Sequence, residues 1–112
     1  MKRMIVLSIM LLSLAIIYAH PAGNLAIKYD MKSQMLELNY AHKVKDAADH
    51  YINSVNVLVN GKTVLTHTLS LQESTEGGIL SYKLPALKAG DKISISTQCN
   101  KGGKKSANLT LK

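Results

Sequence analysis

The clearest structural signal in the sequence is "YINSVNVLVNGKTVLTHTLSL", residues 51–71. Apolar and polar residues alternate on both sides of Asn60-Gly61, a dipeptide that accepts the positive φ angles of a two-residue hairpin turn. Alternation with a period of two places every second side chain on the same face of a strand. The stretch therefore predicts a β-hairpin, and the remaining elements are assigned outward from it.

Five further strands are predicted around this hairpin. They are "LAIKY" (25–29), "MLELNYAH" (35–42), "ILSYKL" (79–84), "DKISISTQC" (91–99) and "KSANLTLK" (105–112). Turn-forming residues separate the strands, and no window has the period of an amphipathic helix. Seven short alternating strands about ten residues apart favour an all-β fold, an immunoglobulin-like antiparallel β-sandwich.

The first 19 residues have the layout of a secretory signal peptide. Lys2 and Arg3 precede an apolar run, residues 4–17, and the small residue Ala19 follows. We expect cleavage after Ala19, because cleavage after Ala22 would leave the bulky His20 at a position that prefers small residues. The apolar run is shorter than the about 20 residues of a membrane span. The sequence thus predicts a periplasmic or secreted domain, residues 20–112, without a membrane anchor.

The composition of the expected mature chain narrows the class of partner. It has 12 lysines and 7 acidic residues, hence a net charge of +5, and it contains no arginine, tryptophan or phenylalanine. This balance weakly favours anionic partners, while the lack of arginine and of stacking aromatics argues against nucleic acid. The length is sufficient for one core and no second domain.

Four residues with metal-ligand chemistry are predicted to share one end of the sandwich. If successive strands reverse direction, that end holds the start of the first strand, the end of the second, the start of the third and the end of the sixth. These positions carry His20, His42, His50 and Cys99. His42 and Cys99 also continue the inward faces of their strands, so we expect them to meet across the two sheets.

Imidazole and thiolate ligands together favour a transition metal over calcium or magnesium. Cys99 is the only cysteine and cannot form a disulfide within the chain. Taken singly, His42 also fits a hydrogen-bonded rim residue and Cys99 a small buried apolar residue. His67 lies within a strand and is expected to be a packed or edge histidine, and Asp46 and Asp49 are candidates to orient the histidines as hydrogen-bond acceptors.

The segment "AHKVKDAADHYINSVNVLVNGK" (41–62) and the later "CN" (99–100) resemble the ferrous-iron domain of desulfoferrodoxins and superoxide reductases. The resemblance implies an immunoglobulin-like sandwich with histidines around the iron, an axial cysteine thiolate and an open position for superoxide. It implies His42, His50 and Cys99 as ligands. The family's early internal histidine loop is missing from this chain, and we expect His20, at the start of the mature chain, to replace that ligand. The family's cysteine motif continues to a further histidine, where this chain has Lys101, Gly102 and Gly103.

Two other functions remain open at the level of the sequence. "HYINSVNVLVNGKTVL", "ILSYKL" and "KAGDKISIS" also resemble the small immunoglobulin-like subunit of the sulfur-oxidation carrier complex, which implies a non-enzymatic carrier-protein partner. An amino-terminal His20 would alternatively hold copper through its amine and ring nitrogen. Lysines in the loops at the same end are expected to attract a small anion such as superoxide; they are Lys43, Lys45, Lys101, Lys104 and Lys105.

Overall fold

The computed structural model describes residues 20–112, which form seven β-strands and no helix. The strands are β1 (Leu25–Asp30), β2 (Met35–Ala41), β3 (Ile52–Val59), β4 (Lys62–Thr68), β5 (Gly77–Lys83), β6 (Lys92–Cys99) and β7 (Lys104–Thr110). The predicted seven-strand all-β fold is confirmed, with β4 ending earlier than expected. The predicted signal peptide, residues 1–19, lies outside the described residues. Within residues 20–112 no helix is long and apolar enough to cross a membrane.

The strands form two antiparallel sheets that pack as a sandwich. One sheet has the order β1-β2-β5 and the other the order β4-β3-β6-β7. Alternate residues of the central strands face inward and have no exposed surface, among them Leu36, Leu38, Val55, Val57, Ile93 and Ile95. Each such side chain stabilises the fold by about 1.5–3 kcal/mol through removal of apolar surface from water. The architecture is the predicted immunoglobulin-like β-sandwich.

One end of the sandwich is closed by short turns, and we call it the turn end. Asn60 and Gly61 have φ angles of 51° and 83°, the positive values that a two-residue turn between β3 and β4 requires. Asn60 also donates from its side-chain amide to Asp91 Oδ1 over 3.0 Å and accepts from the Lys92 N–H over 2.9 Å. The hairpin predicted from Asn60-Gly61 is therefore present, and its turn is joined to the start of β6.

The opposite end, where β2 and β6 finish and β3 begins, is the histidine end. Its two long connections, residues 42–51 and 69–76, lie against each other. The His42 N–H donates to the Glu76 carbonyl over 2.9 Å, and the Val44 N–H donates to the Thr75 carbonyl over 2.8 Å. Val44 is also buried. These contacts give the loop between β2 and β3 a defined backbone path on which side chains can be positioned.

Candidate metal centre

The structure brings the three predicted ligand histidines together at the histidine end. The ring centroids of His20, His42 and His50 lie 4.7, 4.8 and 4.9 Å apart in pairs. One ring nitrogen from each residue lies within 4.8 Å of those of the other two. The residues come from three chain segments, one before β1, one after β2 and one before β3. Three imidazoles that converge in this way form a candidate metal site.

Cys99 contacts this cluster through His50. It is the last residue of β6, it is 1% exposed, and its Sγ lies 3.1 Å from His50 Nε2. The Lys101 N–H also donates to Sγ over 3.4 Å, which holds the sulfur in one orientation. The expectation that His42 and Cys99 continue the inward faces of β2 and β6 is confirmed, since both are almost fully buried. Across the two sheets, however, Cys99 hydrogen-bonds to His50 and not to His42.

The spacing of the donor atoms fits a single transition-metal ion. Metal–nitrogen bonds of about 2.0–2.1 Å and metal–sulfur bonds of about 2.3 Å place two ligand atoms of one ion between about 3 and 4.4 Å apart. The 3.1 Å between His50 Nε2 and Cys99 Sγ lies in this range. Two nitrogens bound to one ion lie at most about 4.2 Å apart, and the 4.8 Å limit for the histidine nitrogens exceeds this by about 0.6 Å. Small side-chain movements therefore suffice for the three histidines to contact one ion, and Cys99 Sγ lies within ligand distance of one of them, His50.

His42 is held by a residue that the sequence did not single out, Gln72. His42 Nδ1 lies 2.7 Å from Gln72 Oε1, and Gln72 Nε2 donates to the His42 carbonyl over 2.7 Å. Both residues are buried, with 2% of Gln72 exposed. Gln72 belongs to the connection between β4 and β5 and has no distinguishing pattern around it. Only the packing of the two long connections reveals its contact with His42.

His50 is placed by a single hydrogen-bonded turn. Its N–H donates to the Asp46 carbonyl over 2.9 Å, and Asp46 Oδ1 accepts from the Ala48 N–H over 2.9 Å, which caps the turn. Asn100, the residue after Cys99, joins this turn to the end of β6. Its side-chain amide donates to the Asp49 carbonyl over 2.8 Å, and its Oδ1 accepts from the Tyr51 N–H over 2.9 Å. The side chain of Asn100 thus holds His50 beside Cys99.

The expectation that Asp46 or Asp49 orients the histidines is wrong. Within residues 20–112 neither carboxylate hydrogen-bonds to an imidazole. Asp46 caps the turn before His50, and Asp49 forms an ion pair with Lys101 over 3.4 Å. The reason is geometric. The Asp46 carboxylate accepts a hydrogen bond at the start of the turn, whereas the His50 ring lies at the end of the turn, against Cys99. The acceptor role at His42 belongs to Gln72 instead.

His20 reaches the cluster because the segment after it is docked on the sandwich. Ala22 is 3% exposed, and the Gly23 N–H donates to the Ala41 carbonyl over 2.6 Å. Gly103, in the turn between β6 and β7, lies directly against this segment. A Cβ at Gly103 would lie 2.7 Å from Pro21 N, and the φ angle of this residue is +97°. Glycine is therefore required there both by conformation and by the close approach of the segment that carries His20.

The surroundings of His50 favour its neutral form. Burial is the largest cause of its lowered pKa, followed by the neighbouring His42 and His20 rings and then by Lys101, while Asp49 acts in the opposite direction. A neutral imidazole offers a nitrogen lone pair, which metal ions require. The pKa shift thus favours the ligand form of this residue.

A cavity of about 600 Å³ opens beside the cluster. Its wall includes His20 and His50, and the loop between β2 and β3 contributes the rest of the lining, which is Lys43, Val44, Lys45, Asp46 and Asp49. Lys43 and Lys45 are exposed. Lys43 and Lys45 therefore border a cavity through which a small ligand can reach two of the histidines.

His67 lies apart from the cluster, as the sequence predicts. It belongs to β4, an edge strand, and its Nδ1 lies 2.9 Å from the hydroxyl of Tyr82 on the other sheet. Burial raises the pKa of Tyr82 to about 12, so that its hydroxyl keeps its proton. The interpretation of His67 as a packed edge histidine is confirmed. Its contact with Tyr82 links β4 of one sheet to β5 of the other.

Comparison with known proteins identifies a similar fold but no matching family. No protein-family model and no curated protein matches this chain. Among solved structures, the chain is similar to the superoxide reductase (neelaredoxin) from Ignicoccus hospitalis, with a TM-score of 0.56, 14% identity, and coverage of 81% of this chain and 80% of that chain. At this identity the likeness establishes the fold alone: residues 20–112 fold as a sandwich like that of a superoxide reductase, with a histidine cluster able to bind a metal at one end.

Proposed function

We propose that this chain binds one transition-metal ion through His20, His42, His50 and Cys99. The observation that carries the proposal is the convergence of three imidazoles from three chain segments, with a buried cysteine sulfur 3.1 Å from one of them. Structural histidines are normally satisfied by separate partners, as His67 is by Tyr82. Three rings in mutual contact, one of which also contacts a cysteine sulfur, form a donor set that suits iron, copper or zinc.

The metal we propose is iron, and the reaction is the reduction of superoxide. The resemblance of residues 41–62 and 99–100 to superoxide reductases and the similar fold of the Ignicoccus hospitalis enzyme support this choice. A ferrous ion at the site would supply one electron, which together with two protons converts superoxide to hydrogen peroxide, and an external redox protein would return the electron.

The residues of this chain have three separate roles in the proposed reaction. The four ligands hold the ion, and the cavity beside His20 and His50 admits a small anion. Lys43 and Lys45 raise the local concentration of that anion at the cavity mouth through their positive charge. The signal-peptide pattern supports action outside the cytoplasm, in the periplasm or as a secreted protein.

The test is elemental analysis and visible absorption of the exported protein, beside a Cys99→Ser variant. Thr97→Ser is the matched control, because Thr97 is also buried and lies on the same face of β6. We expect about one iron per chain and a thiolate-to-iron absorption band in the wild type and the control. The band should be absent from Cys99→Ser. Iron-free protein that also takes up no iron, copper or zinc on reconstitution would contradict the metal site.

The two alternatives predict different outcomes of the same experiment. Copper held by an amino-terminal His20 would load without a thiolate band and would be indifferent to Cys99→Ser. A partner subunit like that of the sulfur-oxidation complex would bind its carrier protein equally well with and without the cysteine. Loss of superoxide consumption in Cys99→Ser, with metal retained in Thr97→Ser, separates the proposed function from both.

A further inference from the structure

The orientation of the Gln72 amide follows from its hydrogen-bond partners. One terminal atom lies 2.7 Å from the His42 carbonyl and 2.8 Å from the Ser74 carbonyl. Carbonyl oxygens only accept hydrogen bonds, so this atom is the amide nitrogen. The other terminal atom is therefore the oxygen, and it accepts from the Ile52 N–H over 3.3 Å. Every donor and acceptor nearby agrees with this single orientation.

This orientation determines which nitrogen of His42 carries the proton. The Gln72 oxygen lies 2.7 Å from His42 Nδ1, and an amide oxygen has no proton to donate. Nδ1 must therefore be the donor. A second acceptor, the His20 carbonyl, lies 3.3 Å from His42 Nε2. A neutral imidazole has one proton and can therefore donate to only one of these two acceptors. The shorter contact, 2.7 Å at Nδ1, takes the proton, and the longer contact at Nε2 is then no hydrogen bond, which leaves the Nε2 lone pair free for a metal ion.

We propose that Gln72 is a positioning residue that holds His42 in the Nδ1–H tautomer and thereby presents Nε2 to the metal. Both side chains are buried, at 2% exposure for Gln72 and 1% for His42. Bulk water therefore does not replace the amide as acceptor if the amide is removed. The tautomer is set by the protein in advance of metal binding.

Gln72 also fixes the position of the ring relative to the other ligands. Its amide contacts His42 at the end of β2 and Ile52 at the start of β3, which belong to different sheets. The same side chain thus has two effects. It sets the tautomer of His42, and it fixes the distance between His42 and the start of β3, which lies next to His50. For its consequence in metal binding this inference rests on the proposed function, whereas the tautomer itself does not.

The first measurement is made on the metal-free wild type. Long-range proton–nitrogen NMR correlations of the imidazoles, recorded at mildly alkaline pH, distinguish the two neutral tautomers. We expect His42 to be protonated at Nδ1 and unprotonated at Nε2. A His42 ring protonated at Nε2, or an even mixture of both tautomers, would overturn the proposal. This result is independent of any metal.

The second measurement compares Gln72→Met with Gln72→Glu. Methionine fills a similar volume without a strong acceptor, whereas glutamate keeps an oxygen that accepts from Nδ1. We expect Gln72→Met to lose the single tautomer and to bind cobalt(II) about 10–100-fold more weakly, as is typical when a partner of a ligand histidine is removed. Gln72→Glu should keep the Nδ1–H tautomer and most of the affinity. Glu73→Gln, on the exposed neighbour, is the control.

Two outcomes distinguish a failure of this inference from a failure of the proposed function. A folded Gln72→Met protein with unchanged tautomer and unchanged cobalt affinity would refute the role of Gln72. If no variant and not even the wild type binds cobalt, iron or copper, the metal site fails, and the NMR comparison of the wild type with Gln72→Met still decides whether Gln72 sets the tautomer of His42.

Discussion

The two ends of the sandwich are built in different ways. At the turn end, the two-residue turn Asn60-Gly61 joins β3 to β4, and Asp91 accepts from the Lys88 N–H over 2.9 Å and from the Asn60 amide over 3.0 Å. These bonds join the turn between β3 and β4 to the turn before β6. At the histidine end, the decisive contacts instead join side chains with metal-ligand chemistry, such as His50 with Cys99.

Buried polar groups destabilise a protein unless they are hydrogen-bonded, and both ends contain them: Asp91 at the turn end, and His42 and Gln72 at the histidine end. Only at the histidine end does a hydrogen-bonded pair of such side chains, His42 and Gln72, include a proposed metal ligand. Such pairs persist only while both sheets hold their relative positions. We therefore expect changes at the turn end to alter stability alone, and changes at the histidine end to alter metal binding as well.

The largest expected effect comes from removal of a proposed ligand, compared with removal of a histidine outside the cluster. His42→Ala should weaken metal binding by more than about 100-fold, because removal even of a ligand's partner costs about 10–100-fold. His67→Ala should leave affinity unchanged and lower the free energy of unfolding by about 1 kcal/mol through loss of its bond to Tyr82. Chelator competition and urea unfolding measure the two quantities. Equal affinities in both variants would contradict the assignment of the site.

The second-largest effect is expected from substitution of Gly103, compared with the same substitution of Gly61; both glycines have positive φ angles. Gly61→Ala and Gly103→Ala should each cost about 1–2 kcal/mol of unfolding free energy, since an alanine is strained there. At Gly61 nothing lies within 4 Å of an added Cβ, whereas at Gly103 the Cβ would collide with Pro21. Only Gly103→Ala should therefore displace His20 and lower metal affinity, as measured by the same competition. Matching affinities would show that the docked segment is not needed for the site.

The two ends should also respond to different ranges of pH in the metal-free protein. The pKa of His50 is lowered from 6.5, mainly by burial, so below about this pH the unfolded chain binds more protons than the folded one. Its stabilising contribution is present above 6.5 and is lost as the pH falls toward the lowered value. The pKa of Asp91 is lowered from 3.8, chiefly by its bond from the Lys88 N–H, so its contribution is lost only below about that pH.

Thermal unfolding as a function of pH tests this separation. His50→Gln should flatten the dependence just below 6.5 and leave the acid region unchanged. Asp91→Asn should flatten the dependence below 3.8 alone. A His50→Gln protein that still loses stability below 6.5 as steeply as the wild type would refute the assignment of this range to His50.

The smallest effect concerns the exposed lysines of the two ends. Replacement of Lys43 and Lys45 by glutamine should weaken azide binding to the iron-loaded protein by about threefold at low salt, and the difference should disappear at high salt. Replacement of Lys62 and Lys92 at the turn end removes the same charge far from the cavity and should have no such effect. Equal losses in the two double variants would mean that net charge, and not the cavity rim, attracts the anion.

The strands, and the faces on which their side chains lie, can be predicted from the amino-acid sequence. Alternation with a period of two encodes a strand locally, and Asn60-Gly61 encodes a turn that only a few residue types form. The count of strand directions then placed His20, His42, His50 and Cys99 at one end, and the structure does bring them together. Their action as ligands remains a prediction.

How these residues are held in place depends on contacts between parts of the chain that are far apart in sequence. Gln72 contacts His42 because two long connections pack side by side, and Gly103 meets Pro21 because the turn between β6 and β7 lies against the start of the domain. Neither contact has a local sequence pattern. Asp46 and Asp49, which the sequence suggests as partners of the imidazole rings, are used in a turn and an ion pair. Contacts between distant loops depend on the complete pairing of both sheets, which no short stretch of sequence encodes.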